Sequence, residues 1–272
     1  MPEKIEVVVL VKAAPVLTSD LEESMCVAGI RTDGEHHEWI RLHPVPFRDL
    51  GDDESFAKYQ KVEVKVIPPQ SDRRPESWRP IRGSIAPLER YSTANRWAPR
   101  RGLVSQLEER TMCELWTANR NGSGVGIPSL AVVRPIEPPR LLITERDAGQ
   151  LEEWTRRADA ASRTRSLFEN PDESKVKLEV VPWRFRYQYR CSAESCNGHN
   201  QTIIDWEVVN LWRKVRDSVD WMVKMRQKFE EEMWINRDTV LFVGNQEQHP
   251  SSFLVLGVFW PPIGETQGVL DV

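Results

Sequence analysis

Three side chains between residues 191 and 199 have the types and the spacing of metal ligands. Cys191, Cys196 and His199 form a Cys-x4-Cys-x2-His pattern, and the Asn197-Gly198 pair between them favours a tight turn. Thiolates combined with an imidazole are ligands that suit zinc. The pattern therefore predicts a zinc knuckle in a strand-loop-helix segment, with zinc as the cofactor.

The pattern supplies three ligands, whereas a structural zinc site has four. Asp205 or His249 could supply the fourth, and Cys113 or a water molecule are alternatives. A fourth protein ligand would close the site and make it structural, whereas a water would leave it open to catalysis. In the catalytic case His199, Asp205 and Glu207 would act at or near the ion. In the structural case the two carboxylates only complement the positive end of a helix.

Arginine is concentrated between residues 73 and 101. This segment holds eight arginines against Glu76 and Glu89, in a chain whose net charge is −4. Guanidinium groups bind phosphates, and interleaved aromatic rings can stack on bases. The alternative is a solvated basic loop paired with acidic side chains. The pattern favours a DNA- or RNA-binding surface formed by Arg41, Arg73, Arg74, Trp78, Arg79 and Arg82.

A shorter pattern leaves nuclease chemistry open. Glu63 and Lys65 have the spacing of the closing half of a common nuclease motif, in which a strand carries a metal-binding acid and a lysine. The preceding acid would come from Asp49, Asp52 or Asp53. The same spacing arises by chance on any exposed strand face.

The elements that position these groups differ between the two halves of the chain. Short β-branched segments at 5–11, 24–30, 38–45 and 61–67, separated by turn signals, predict a small β-barrel. Leucines at helical spacing from 103 to 115 predict an attached helix. The proline-rich segment 134–140 predicts a boundary between a first domain, 1–135, which is expected to bind nucleic acid, and a second domain, 136–272, which carries the Cys/His pattern.

The second half alternates between strand and helix signals. Thr144 and Asp147 resemble a capping box and predict a helix to about residue 168. Alternation over 176–190 places four aromatic residues, from Trp183 to Tyr189, on one strand face. Apolar residues from 204 to 229 recur at three- and four-residue steps, which predicts one amphipathic helix of about seven turns. The predicted fold class is mixed α+β.

Composition narrows the cellular setting. Four cysteines are too few for a secreted disulfide framework in 272 residues. The N-terminus reads as a strand, without an export signal, and no apolar stretch approaches the roughly 18 residues that cross a bilayer. These features predict a cytoplasmic protein that makes no membrane contact.

Residues 25–45, "MCVAGIRTDGEHHEWIRLHPV", resemble the opening of bacterial dual-OB-type domains, in which "CVAG" is followed after a turn by "WIR" and a proline. The resemblance extends to about residue 80, and this chain departs from it in the longer "RTDGEHH" turn and the "LHPV" continuation. The C-terminal half resembles uncharacterised bacterial proteins with a C-x4-C-x2-H pattern followed by "DWE". An OB-like barrel implies oligonucleotide binding.

These observations predict a nucleic-acid-binding protein with a structural zinc, in bacterial genome maintenance or phage defence. Two other classes stay open. One is a metal-dependent nuclease or related hydrolase, so the sequence does not decide whether the protein is an enzyme. The other is a protein-interaction module whose tryptophan-rich surface binds a protein partner.

Overall fold

The computed structural model describes residues 1–17, 23–34, 37–46, 55–122, 126–163 and 179–264. These residues form a mixed α+β structure with several antiparallel sheets and five α-helices, which confirms the predicted class. Its two parts share a core, because the outer face of the first strand packs against the C-terminal sheet. Val8 and Leu10 of that strand contact a cluster that includes Leu130, Phe242 and Leu256.

The N-terminal part is a closed five-stranded barrel, as predicted. Its strands are β1 (Glu3–Lys12), β3 (Glu23–Arg31), β4 (Glu38–Pro46), β5 (Gln60–Ile67) and β6 (Ser77–Pro80). They pair in the order β1-β3-β4-β6-β5, and β5 pairs back to β1 and closes the barrel. The β4–β6 pair is parallel and the other pairs are antiparallel. Two short strands, β2 (Val16–Leu17) and β7 (Ala86–Arg90), extend the sheet.

The side-chain period explains why these segments form a barrel. In β5 alternate side chains, Val62, Val64 and Val66, point into the barrel core, and those between them are less buried. In β1 both faces are buried, one inside the barrel and one against the C-terminal part. This double burial accounts for the continuous apolar run "VVVLV" in that strand.

Two helices follow the barrel, α1 (Ala94–Val104) and α2 (Met112–Ala118). The predicted helix is therefore present but divided. A capping box at Thr111 starts α2 afresh: the Thr111 hydroxyl accepts from the Glu114 amide at 3.2 Å, and the Glu114 carboxylate accepts from the Thr111 amide at 2.9 Å. Because α2 carries Cys113, this cap also positions one of the candidate metal ligands.

Removing the Thr111 cap should weaken the protein modestly. Thr111→Ala is expected to lower the free energy of unfolding by about 1 kcal/mol, since one amide of the first turn loses its acceptor. Urea denaturation followed by circular dichroism measures this change. Glu114→Gln keeps both hydrogen bonds of the box and should cost less than half as much. Equal losses for the two variants would contradict the capping role.

The C-terminal part contains two three-stranded antiparallel sheets. One has the order β11-β10-β9, with β9 (Arg140–Glu145), β10 (Trp183–Tyr189) and β11 (His199–Thr202). The other has the order β13-β12-β8, with β8 (Leu130–Val133), β12 (Val240–Gln246) and β13 (His249–Phe259). The predicted aromatic face of β10 is confirmed, because Phe185, Tyr187 and Tyr189 are buried and Trp183 packs against the same core.

Helix α3 (Ala148–Arg163) begins close to the predicted position, but its cap differs from the prediction. Thr144 lies in β9, paired with Arg184 of β10. The Asp147 carboxylate alone accepts from the first turn, from the Gln150 amide at 3.0 Å. The predicted end of the helix near residue 168 lies outside the described residues.

The predicted seven-turn helix is wrong. The structure has α4 (Trp206–Val215) and α5 (Trp221–Arg226), which continues as a π-helical segment, Gln227–Glu232. Between α4 and α5 the chain turns, and Ser218 and Trp221 donate backbone hydrogen bonds to residues three positions earlier. The apolar spacing runs across the turn because Trp212 of α4 and Phe229 of the π-helical segment pack into one core. The apolar spacing therefore indicates which residues are buried, but it does not show whether a single helix carries them.

In the ranges that the structure describes, each helix is too short or too polar to cross a membrane.

Candidate metal centre and interdomain cleft

Four potential metal ligands converge where the end of β10 meets α2. The predicted Cys191, Cys196 and His199 come from the β10–β11 hairpin, and Cys113 comes from the first turn of α2. Their ligand atoms, three Sγ and one imidazole nitrogen, all lie within 4.8 Å of one another. These four residues, here named the Cys/His cluster, could hold a metal ion.

The distances inside the Cys/His cluster suit tetrahedral coordination. The Sγ atoms of Cys113 and Cys191 are 3.6 Å apart, and His199 Nε2 lies 3.2, 3.3 and 3.6 Å from the Sγ atoms of Cys196, Cys191 and Cys113. A tetrahedral zinc with ordinary bond lengths separates two sulfurs by about 3.8 Å and a sulfur from a nitrogen by about 3.5 Å. One cation at the centre of the cluster could therefore reach all four ligands.

The β10–β11 hairpin is formed by residues that are close in sequence. For this reason the Cys-x4-Cys-x2-His pattern could predict that its three ligands lie close together. Tyr189 of β10 pairs with His199 of β11, so the strand register itself places the imidazole beside the residues that follow β10. The Cys191 amide donates to Cys196 Sγ at 3.4 Å, and Gly198 adopts a positive φ of 97° in the turn. The segment is strand-loop-strand, because β11 precedes α4, and the predicted strand-loop-helix connection is wrong in this respect.

Burial sets the protonation of the Cys/His cluster. It lowers the pKa of His199, so the imidazole is neutral at physiological pH and keeps a lone pair for a cation. Burial, together with the hydrogen bond and charge of Cys191, raises the pKa of Cys113 to about 12. Burial also opposes ionisation of Cys196, but backbone amides of Cys191 and Gly198 outweigh it and lower the pKa of that thiol. Three adjacent thiolates repel one another unless a cation is bound.

Neither Asp205 nor His249 is the fourth member of the Cys/His cluster. Asp205 is fully buried, and Lys58 Nζ donates to its two carboxylate oxygens at 2.7 and 2.8 Å. The same carboxylate accepts from the Glu207 amide at 3.0 Å and so caps α4. Its oxygens are therefore occupied by the barrel lysine and by the helix. His249 begins β13 and lies in a cleft described below.

The buried pair joins the two parts of the chain. Burial raises the pKa of Asp205 to about 6, against the opposing pull of the Lys58 charge. Burial alone would lower the pKa of Lys58, but the charges of Asp205 and Glu207 outweigh it and raise that pKa. Both groups therefore depend on their partner for ionisation. Glu207 is half exposed and lies 3.4 Å from Lys58. Of the three catalytic candidates only His199 belongs to the Cys/His cluster.

Cys113 is the ligand for which the sequence offered the weakest signal. It lies 78 residues before Cys191, so no local spacing connects the two. The remaining cysteine, Cys26, lies in β3 and lines the cleft instead. A cysteine inside a barrel strand is poorly placed to join a distant hairpin, which argues against Cys26. Exclusion of Cys26 leaves Cys113 as the remaining cysteine that could supply the fourth ligand.

A cleft of about 680 Å³ lies between the barrel and the β12–β13 hairpin. Its barrel side is formed by β3, β4, β6 and the loop that precedes β6, and its other side by residues 245–249 with Leu254 and Leu256. Four of the six predicted nucleic-acid-binding residues line it, namely Arg41, Arg74, Trp78 and Arg79. Arg73 and Arg82 are exposed and lie outside its lining.

Arg41 is a buried member of this lining and not a surface residue. Its side chain is 4% exposed, and its Nη2 donates to the carbonyl and hydroxyl oxygens of Ser129 at 3.3 and 3.1 Å. Glu76 lies 3.6 Å from the same nitrogen. Cys26 Sγ lies 3.8 Å from Nη1, while Nε has no hydrogen-bond partner within the described part of the chain. Arg41 therefore links the barrel to the C-terminal part and keeps one N–H uncommitted.

Arg74 has a similar anchoring role. Its Nε and Nη2 donate to the Asp72 carboxylate at 2.8 and 2.5 Å, and its Nη1 donates to the Asn245 carbonyl at 2.8 Å. Arg100 is also buried, with its guanidinium over the rings of Tyr59 and Trp97. The arginine-rich segment is consequently not one continuous exposed surface.

Trp78 and Arg79 are the more accessible predicted residues of the cleft. Trp78 is half-buried and rests against the barrel core, and Arg79 is exposed. On the opposite side of the mouth, Gln246, Gln248 and His249 are also exposed. The cleft thus has an aromatic ring, one accessible guanidinium and several amide groups at its opening.

Glu63 and Lys65, the two residues of the predicted nuclease pattern, lie on β5. Glu63 forms an ion pair with Lys4 at 2.6 Å, and Lys65 is exposed on the barrel surface. The three aspartates that could supply the preceding metal-binding acid, Asp49, Asp52 and Asp53, lie outside the described residues.

Comparison with known families divides the chain into two matched segments. Residues 3–106 match a domain of unknown function, DUF8758, and residues 108–271 match a second, DUF8757. No curated protein matches the sequence significantly. The matched segments meet near residue 107, before β8, whereas the predicted division at residue 135 stays a prediction. Because the second match spans more than half of the sequence, the chain belongs to the DUF8757 family.

Proposed function

We propose that the protein binds unpaired DNA or RNA in the cleft between its two parts, and that the Cys/His cluster holds a structural zinc. The observation that carries the proposal is the composition of the cleft. Four predicted nucleic-acid-binding residues, Arg41, Arg74, Trp78 and Arg79, meet in one concave site of about 680 Å³. Guanidinium groups and aromatic rings in a groove are the means by which proteins hold single strands.

The topology of the barrel supports the same proposal. Numbered by themselves, its five strands follow the order first, second, third, fifth, fourth and back to the first, with the third and fifth parallel. This arrangement is OB-like. OB barrels bind oligonucleotides on their second and third strands and on the loop between the fourth and fifth. Here those elements are β3, β4 and residues 68–76, and all three contribute to the cleft.

The proposed role of zinc is structural because the Cys/His cluster supplies four protein ligands. Three sulfurs and one imidazole nitrogen complete a tetrahedral shell and leave no position for a reactive water. Soft sulfur ligands in this number favour zinc over magnesium or calcium. The ion would join α2 to the β10–β11 hairpin. This geometry gives no support to a hydrolase whose catalytic metal is in the Cys/His cluster.

Binding in the cleft predicts a specific mutational pattern. Trp78→Ala should weaken binding of a fluorescein-labelled 15-nucleotide single strand by about 5- to 150-fold, because each lost stacking contact is worth about 1–3 kcal/mol. Arg79→Ala should weaken it less, by about 3- to 10-fold, and should reduce the salt dependence by about one phosphate contact. Fluorescence polarisation at about 50 mM salt, with DNA and RNA strands of one sequence, measures both effects and decides which nucleic acid is preferred.

Arg90→Ala is the matched control. It removes one arginine from the same segment, and Arg90 is exposed on β7 outside the cleft lining. Its affinity should stay within about twofold of the wild type, since only long-range electrostatics change. Undetectable binding of both strands at low salt, or an equal loss in Arg90→Ala and Arg79→Ala, would remove the support for this proposal. A role in genome maintenance or phage defence and a cytoplasmic location stay predictions.

A further inference from the structure

The interior of the cleft combines apolar side chains with arginines that are already paired, whereas its mouth carries exposed polar groups. Its buried and half-buried lining, here named the floor, includes Ile204, Leu254, Leu256 and the thiol of Cys26. Its exposed lining, here named the rim, holds Arg79, the carboxylate of Glu247 and the side-chain amides of Gln70, Gln246 and Gln248. A ligand that fits this gradient has a flat, weakly polar part for the floor and a charged part for the rim.

The floor also contains a buried guanidinium N–H that has no acceptor among the described residues. Arg41 is 4% exposed and its Nε has no partner among the described residues, although its Nη2 is held by Ser129. A buried N–H without an acceptor costs free energy, so a ligand that supplies an acceptor at this point gains affinity. Arg41 is part of the lining of the cleft, and its Nη1 lies 3.8 Å from Cys26 Sγ.

The charge around Arg41 favours a neutral acceptor over a phosphate. Glu76 lies 3.6 Å from its guanidinium and already balances its charge. Arg74, the other buried arginine of the lining, is balanced in the same way by Asp72. A phosphate on the floor would lie next to apolar side chains and near Glu76, with an unfavourable loss of hydration. A base carbonyl or ring nitrogen satisfies the N–H without that cost.

The rim suits the phosphate instead. Arg79 is exposed, and its side chain forms no ion pair with another residue in the described part of the chain. The volume of about 680 Å³ lies within the roughly 300–1,000 Å³ of small-molecule sites, enough for about one or two nucleotides and too small for a long strand. The ligand must therefore leave most of a strand outside the cleft.

From these observations we propose that the cleft takes up one unpaired base, whose edge accepts a hydrogen bond from Arg41 Nε while its phosphate stays at the rim near Arg79. This inference rests on the proposed nucleic-acid binding and adds the mode of recognition. It distinguishes insertion of a base into a pocket from tracking of a strand along a surface.

The Cys26 thiol is a native reporter of insertion, because it lines the floor next to Arg41. The experiment measures the rate of Cys26 alkylation by iodoacetamide, by mass spectrometry of its peptide, in the zinc-loaded full-length protein. Saturating 15-nucleotide oligothymidine should slow alkylation at least about 10-fold, as expected for a reactive group covered by ligand. A 15-unit abasic strand has the same phosphates without bases, and should bind more weakly and leave the alkylation rate unchanged.

Arg41→Lys tests the hydrogen bond, since lysine keeps the positive charge beside Glu76 but lacks Nε. It should weaken oligothymidine binding by about fivefold or more and leave abasic-strand binding within about twofold. If this variant does not fold, as judged by its thermal unfolding, the wild-type protection experiment decides alone. Oligothymidine that binds in a Trp78-dependent manner without protecting Cys26, or equal protection by the abasic strand, would overturn base insertion and leave the proposed function standing. Absence of binding by any strand would overturn both.

Discussion

Cys113→Ser is expected to abolish stoichiometric metal binding and to lower the thermal unfolding temperature by more than about 10 °C. The physical reason is that a cation in the Cys/His cluster would link α2 to the β10–β11 hairpin through four ligands, and loss of a thiolate would leave three. Apparent binding free energies of structural zinc are about 10–16 kcal/mol, comparable to the total stability of a domain. Metal content by native mass spectrometry, together with thermal denaturation, measures both effects.

Two control variants and the re-addition of zinc after chelation distinguish loss of the metal from a general loss of stability. Cys26→Ser makes the same chemical change outside the Cys/His cluster and should retain one equivalent of metal, as should His249→Ala. Wild-type protein treated with a chelator should show the same destabilisation as Cys113→Ser, and added zinc should reverse it. Metal that persists in Cys113→Ser, or that is lost in His249→Ala, would show that the fourth ligand is wrongly assigned.

Lys58→Met is expected to lower the free energy of unfolding by about 3–5 kcal/mol. Asp205 is fully buried, and Lys58 donates to its two oxygens at 2.7 and 2.8 Å. Without the lysine, the carboxylate either stays charged and unpaired or takes up a proton, and both outcomes cost stability at neutral pH. Because the pair joins the barrel to the start of α4, the loss should appear in the global unfolding transition in urea.

The double variant Lys58→Met/Asp205→Leu removes both charges and should recover part of the loss, since no uncompensated carboxylate remains. Lys4→Met supplies the surface comparison, because Lys4 and Glu63 form an ion pair at 2.6 Å with the lysine side chain 59% exposed. That change should cost less than about 1 kcal/mol. A similarly small cost for Lys58→Met would mean that the buried pair contributes nothing beyond an exposed one.

Several features of this protein follow from local sequence, and the structure confirms them. Alternation of valines in β5 and the β-branched segments predicted a barrel, because a two-residue period places one face of each strand inside. Cys191, Cys196 and His199 were predicted as one group, because a short hairpin keeps residues close in sequence close in space. The aromatic face of β10 followed from the same period.

Other features depend on contacts between distant parts of the chain. The continuity of the C-terminal helix was overestimated, because α4 and the π-helical segment bury residues in one core on either side of a turn. The basic character of residues 73–101 was read as exposure, but Arg74 and Arg100 are buried by partners that the sequence does not identify. A charged side chain can be exposed to solvent or buried against a partner, and the sequence alone does not identify that partner.

The sequence by itself determined four of the five barrel strands and the grouping of Cys191, Cys196 and His199, and it indicated residues whose chemistry suits nucleic acid. Only the tertiary structure decided that Cys113 completes the Cys/His cluster, that Asp205 belongs to Lys58, and that Arg41 lies on the floor of a cleft. The physical reason is distance along the chain: hydrogen bonds and side-chain periods within an element leave a local pattern. The pairing of residues about 80 to 150 positions apart depends on how the elements pack, and it leaves no local pattern in the sequence.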